Sequence, residues 1–286
     1  MQNQRMIRTV IGSKPTIEGA GVHLNRVFGN NEVALFDPFL LLDDFRSATP
    51  AHYLAGFPWH PHRGIETITY VLRGEVEHGD SMGNKGVISS GDTQWMTAGS
   101  GIIHQEMPQG DPQGRMEGFQ LWANLPRTHK MMVPRYRDIK RAQVPEVSLE
   151  NGVRVKVIAG KLYDREGPVQ GIVIEPEYLD VTVPAGAEFR HPTKPGHTVF
   201  AYVIEGRGSF DAKKERLVAN GSVCLYEDGE FLSVASAGEP LRFLLVSGRP
   251  LREPVAWYGP IVMNTDEELR LAFEEYQSGT FIKHKV

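Results

Sequence analysis

Residues 57–74 read FPWHPHRGIETITYVLRG and residues 91–108 read GDTQWMTAGSGIIHQEMP. The first stretch sets two histidines, His60 and His62, on either side of one proline. In an extended strand, residues i and i+2 point to the same face about 6.6 Å apart, so both imidazoles can lean toward one point while Pro61 stiffens the link. Carrying the alternation onward puts Gly64, Glu66, Ile68, Tyr70 and Leu72 on that face and turns Thr67 and Thr69 away, as in a strand running from a polar mouth into an apolar barrel. His104 and Glu106 repeat the i, i+2 device in the second stretch. If the two strands lie side by side, three imidazoles and one carboxylate converge. That mixed nitrogen and oxygen set suits one divalent transition metal, Fe(II), Mn, Ni, Cu or Zn, and leaves coordination positions open. Glu66 shares the parity of the histidines, and three roles are open to it: ligand, hydrogen-bond partner to a ligand, or buried acid. His23, His52, His78, His129, His191, His197 and His284 read as ordinary core or surface histidines. Phe57, Trp59, Ile103, Met107 and Phe119 are candidate pocket walls, although the parity of Ile103 and Phe119 suits core packing equally well.

Outward from these stretches, the chain is a series of short β-like runs, including FQLWANLP, VRVKVIAG, YLDVTVPAG and TVFAYVIEG, punctuated by Gly, Pro, Asp and Asn. Such spacing predicts an all-β protein of sandwiches or barrels. One helix is expected, in NTDEELRLAFEEYQSG, with Thr265 as N-cap, Glu268 closing a capping box and Gly279 just past the end. The chain also repeats. Glu66–Gly74 aligns without gaps on Thr198–Gly206, and Gly91–Gly99 on Gly221–Gly229, which predicts two copies of one β-unit. The second copy has Pro192 and Lys194 opposite His60 and His62, and nothing downstream matches His104 or Glu106. We therefore expect domains at 1–135 and 150–250, joined through 135–150, with 251–286 as a tail whose helix packs on the barrels.

Composition excludes several classes. The 286 residues are 41% hydrophobic and 23% charged, with a net charge of −4 and no dense Lys/Arg cluster, so direct nucleic-acid binding is not expected. The single Cys224 forbids an internal disulfide, and its place in SVCLY reads as a buried, inert thiol. No run approaches the roughly 18 apolar residues of a membrane span, and the N-terminus lacks a signal-like apolar segment. The expectation is a soluble cytoplasmic protein.

HPHRGIETITYVLRG followed by GDTQWMTAGSGIIHQEMP resembles the two metal motifs of cupins, and specifically of the pirin family of bicupins. FDPFLLLDDF, FQLWANLP and REPVAWYGPIVMNTDEEL extend the likeness over nearly the whole chain. The resemblance implies two tandem cupin, jelly-roll-like β-barrels with a short C-terminal helix. It implies a metal, iron(II) first, held in the N-terminal barrel by His60, His62, His104 and Glu106, with Glu66 outside the ligand set and the C-terminal barrel without ligands. Two roles follow from it: a quercetin 2,3-dioxygenase-like enzyme acting on a flavonol and O2, with Glu106 or Glu66 as general base, or a non-enzymatic iron-binding regulator or redox sensor working through protein partners. A monomer is also expected on this ground.

Overall fold

The computed structural model describes residues 3–212 and 216–284. The chain forms two compact β-units. One comprises Lys14–Leu35, Phe39–Arg141 and the chain from Leu251 onward; the other comprises the N-terminal residues up to Ser13, Phe36–Pro38 and Ala142–Pro250. No described helix is long and apolar enough to cross a membrane.

Each unit faces a seven-stranded antiparallel sheet with a four-stranded one. In the unit that carries the histidines, the larger sheet runs Arg135–Ile139, Thr93–Thr97, Ile65–Arg73, Glu117–Asn124, Phe39–Asp44, Val22–Phe28, Lys14–Glu18 in spatial order. The smaller runs Phe57–His62, Ile102–Gln109, Glu75–Asp80, Lys85–Ile88. The non-sequential order is that of a jelly roll.

The sequence repeat has a structural counterpart. Ile65–Arg73 and Thr93–Thr97 are third and second in their sheet, and the aligned Thr198–Glu205 and Ser222–Tyr226 are third and second in the other seven-stranded sheet. That second sheet takes its edge strand, Ile7–Gly12, from the start of the chain, paired with Ser222–Tyr226. Inside the second unit the space is filled by a continuous apolar cluster that includes Phe189, Leu232, Val234 and Phe243. Cys224 belongs to it, and burial pushes its thiol up to about 12, so the thiolate that would react is suppressed.

The expected helix spans Asp266–Gln277. Thr265 Oγ1 accepts from the Glu268 amide at 3.2 Å and the Glu268 carboxylate accepts from the Thr265 amide at 3.2 Å, so two otherwise orphan donors are met. The helix packs with the strand pair Ala256–Tyr258 and Ile261–Met263, and Ala272, Ile261, Met263 and Phe281 form a small apolar cluster beside Ile103.

Gly64 separates the histidine strand from the strand that follows it. Its φ of +78° lies in the left-handed region, and a Cβ there would fall 2.0 Å from the Val262 carbonyl oxygen. Gly64→Ala is therefore expected to lower the denaturant midpoint far more than Gly83→Ala, where φ is +87° and no heavy atom lies within 4 Å. The second variant should lose only the backbone term, about 1–2 kcal/mol. Equal midpoints would show that the Val262 contact does not constrain the turn.

Candidate metal centre and its cavity

Strands Phe57–His62 and Ile102–Gln109 are neighbours in the four-stranded sheet, with His104 opposite His60 and Ile102 opposite His62. The rings of His60, His62 and His104 converge, with centroids 4.4–4.9 Å apart and one ligating nitrogen from each within 4.8 Å of the others. His60 Nδ1 donates to the Pro58 carbonyl at 2.8 Å and His62 Nδ1 to the Pro260 carbonyl at 3.1 Å. A carbonyl can only accept, so both Nδ1 atoms carry the proton, and the two Nε2 lone pairs face each other 3.0 Å apart. Neither ring nitrogen of the fully buried His104 has a hydrogen-bond partner among the described residues. Burial, and secondarily the neighbouring imidazoles, hold His62 and His104 well below the ordinary histidine pKa. The inward lone pairs of His60 and His62, with the unpartnered nitrogens of His104 beside them, fit a divalent cation.

Glu106 stands beside this triad. The pairing with Phe57–His62 shifts register between His104 and Glu106, and Glu106 Oε2 lies 3.9 Å from His104 Nε2. Thr69 Oγ1 donates to Glu106 Oε1 at 2.9 Å, and Gln120 Nε2 donates to Oε1 and Oε2 at 3.1 and 2.9 Å. The Trp122 indole donates to Gln120 Oε1 at 3.0 Å, which fixes the direction of the amide.

Glu66 lies elsewhere. The alternation expected to run unbroken from His60 to Leu72 is reset at Gly64, because Phe57–His62 and Ile65–Arg73 belong to different sheets. Thr69, not Glu66, consequently turns toward the histidine side. Glu66, on the opposite face of its strand, is buried and accepts from Thr97 Oγ1 at 2.6 Å; burial raises its pKa, against the pull of Thr97, Trp95, Arg135 and Arg137.

A cavity of about 520 Å³ opens beside the triad. Phe57, Leu41, Trp122 and Trp257 supply apolar walls, while Gln120, Asp43 and Arg26 supply polar ones. Trp122 meets the His62 ring edge to face at 5.1 Å. Of the expected wall residues, Phe57 lines the cavity. Trp59 is 52% exposed, Ile103 packs into the tail cluster, Met107 packs on Gly56, and Phe119 points away from the Gln120 face. Gln120 and Trp122 are one alternation step apart in FQLWANLP, an amide among large apolar residues, and that was the available sequence signal for them. Nothing local marks Trp257 or Pro260.

Two buried cations hold the tail against the histidine strand. Arg63 donates to the Ser100 and Phe281 carbonyls at 2.7 and 2.8 Å, pairs with Glu275 at 2.7 Å, and lies over the Phe281 ring. Lys130 Nζ donates to the Gly64 and Val262 carbonyls, both at 2.9 Å, and to Asn124 Oδ1 at 2.7 Å. Gly64 is two residues past His62 and Val262 two past Pro260, so this one ammonium clamps both partners of the His62–Pro260 hydrogen bond.

Two jelly-roll units in one chain, only one of them with a convergent histidine triad among its described residues, define a bicupin. Residues 21–123 match the Pirin family and residues 178–282 the Pirin C-terminal cupin domain. The chain belongs to the pirin family. It is 44% identical over 93% of its length to a Pseudomonas aeruginosa protein provisionally named quercetin 2,3-dioxygenase, covering 94% of that protein. It is 42% identical over 97% of its length to a pirin-like protein of Caulobacter vibrioides, covering 99% of it. A crystal structure of quercetin 2,3-dioxygenase from Acinetobacter baumannii superposes with a TM-score of 0.89 at 31% identity, with 97% of this chain and 98% of that one covered.

Burial lowers Lys130 from its ordinary 10.5 to about 7, with Glu253 and Glu268 pulling the other way. Between those values the unfolded chain binds the proton that the folded chain has released. The contribution of Lys130 to stability therefore rises as pH climbs from about 7 toward 10, by at most ~1.4 kcal/mol per pH unit, and is flat below 7. Lys130→Met is expected to unfold at lower denaturant, with about 1–3 kcal/mol lost per acceptor left unmet, and to lack this rise between pH 7 and 9. The same rise in both proteins would place the proton on the folded-state lysine.

Proposed function

We propose that this pirin is a metal-dependent quercetin 2,3-dioxygenase, opening a flavonol ring with O2 and releasing carbon monoxide. His60, His62, His104 and Glu106 would hold one divalent transition metal, iron(II) before manganese, nickel, copper or zinc. The observation that carries the reading is the convergent histidine triad, with the Nε2 lone pairs of His60 and His62 turned inward, beside a carboxylate and an aromatic-walled cavity of about 520 Å³, a size usual for small-molecule sites. Relatives bearing the quercetin 2,3-dioxygenase name over nearly their whole length support it.

A metal ion bound by these residues would supply Lewis acidity toward a substrate oxygen and a means of engaging dioxygen. The remaining work belongs to the chain. Trp122, Trp257 and Phe57 sandwich a flat ring system and exclude water. Glu106 takes the proton from the substrate hydroxyl; Thr69 and Gln120 keep its oxygens aimed, and the Trp122 indole keeps Gln120 aimed in turn. His62 and His104, which burial makes reluctant to take a proton and which are engaged as ligands in this reading, leave the carboxylate as the base. Glu66, hydrogen-bonded to Thr97 on the far side of its strand, is in this reading a buried structural acid.

Purified protein loaded separately with each ion is expected to consume quercetin and release carbon monoxide in air, and to do neither under argon. His62→Ala should lose more than 100-fold in metal affinity by equilibrium dialysis, given that even outer partners of a ligand are worth 10- to 100-fold, and should keep a β-rich far-UV spectrum. Tight metal binding without carbon monoxide for any ion would replace the enzymatic reading with a metal-sensing one. Unchanged metal occupancy in His62→Ala would overturn the site itself.

A further inference from the structure

Beyond Gln120, the polar end of the cavity is made by Arg26, Asp43 and Glu18, which hold one another and not the histidines or Glu106. Register across the seven-stranded sheet places Thr69 opposite Gln120, Gln120 opposite Asp43, and Asp43 opposite Arg26, so one row of side chains crosses four strands. At about 4.8 Å per strand, Arg26 stands roughly 10 Å beyond the Gln120 that grips Glu106. In the adjacent row Trp122 pairs with Leu41, an apolar floor beside the polar stripe.

An arginine in a pocket usually signals an anionic ligand. Here the guanidinium is already committed: Nε and one Nη donate to the two oxygens of Asp43 at 2.9 and 2.8 Å, and the other Nη pairs with Glu18 at 2.8 Å. Gly29 leaves room for its stem, since a Cβ there would lie 3.0 Å from Arg26 Cδ. The trio of Glu18, Asp43 and Arg26 carries two negative charges against one positive, and all three line the cavity. A carboxylate oxygen has two lone pairs and the arginine uses only one, so accepting capacity remains. An anion would be repelled by the surplus charge, and a cation would meet the guanidinium at the same point. A neutral hydroxyl meets neither objection.

We propose that Asp43 and Glu18, oriented by Arg26, form a hydroxyl-recognising subsite that selects uncharged aromatic ligands bearing hydroxyl donors on the ring remote from the histidines. The proposal rests on the flavonol reading above and assigns its specificity. Arg26 is a positioning residue that sets the two carboxylates.

The test is equilibrium binding under argon, read by quenching of tryptophan fluorescence, with two flavonols: quercetin, which has two vicinal hydroxyls on its remote ring, and galangin, which has none there. Wild type is expected to prefer quercetin by 10- to 100-fold, the range for hydroxyl donors to a charged acceptor. The double variant Glu18→Gln, Asp43→Asn should bring the ratio below about 3-fold by weakening quercetin alone. Glu18→Gln by itself, at the exposed rim, should lower the ratio by about 3-fold or more and guards against a folding defect from the buried position. A ratio that survives in both variants, or equal weakening of both ligands, overturns the subsite and leaves the flavonol reading standing. Failure of wild type to bind either flavonol overturns both.

Discussion

Three imidazoles brought together, two of them fully buried, face a constraint that the rest of the histidine unit is arranged around: their lone pairs must meet something. A buried polar atom without a partner costs on the order of 1–3 kcal/mol, and desolvation opposes protonation of His62 and His104. The fold settles the protons of His60 and His62 on their outer nitrogens by offering the carbonyls of Pro58 and Pro260, one from the histidine strand itself and one from the tail. What His60 and His62 turn inward are then acceptors, an arrangement that suits a cation. Gln120 plays the corresponding part for Glu106, and Trp122 for Gln120, so the orientation of each polar group is inherited from the next one out.

The second unit shows the same architecture relieved of that constraint. Its strand corresponding to Ile102–Gln109 is Phe231–Ser236, where Leu232 and Val234 point into an apolar core. His191 is present on the strand corresponding to Phe57–His62, but it pairs with Glu177 at 2.9 Å. A jelly roll thus closes either around packed hydrocarbon or around a polar site with an adjoining cavity. The first unit gives up filled volume to keep a place for a ligand.

Much of this could be read from residue order. The HPH and HQE pairs announced the triad because i, i+2 spacing in strands is a strong geometric rule, and the Tyr-Val-aliphatic-charged-Gly repeat located equivalent strands in both units. The capping box of the helix at Asp266–Gln277 and the inert Cys224 follow from equally local chemistry. The failures have one origin. A parity argument is valid only within a strand, and Gly64, whose left-handed backbone ends one strand before Ile65 begins the next, flips the faces of everything beyond it. Hence Thr69 stood on the wrong side of the expected strand and Glu66 on the right one. The remote contributors become neighbours only through sheet register, for Arg26 and Asp43, and through packing of the tail, for Trp257 and Pro260, neither of which any short window of sequence contains.

The hydrogen bond from His62 to Pro260 joins residues 198 positions apart. Ribosomes add residues in order, at several per second, so the three histidines leave the exit tunnel well before their support has been polymerised. Until Pro260 and Val262 are made, Lys130 has one of its acceptors missing, His62 lacks the carbonyl that fixes its tautomer, and Trp257 is not there to wall the cavity. Assembly of the centre is therefore a late event in the life of a nascent chain, one that separates synthesis of the ligands from the moment they can act as a set.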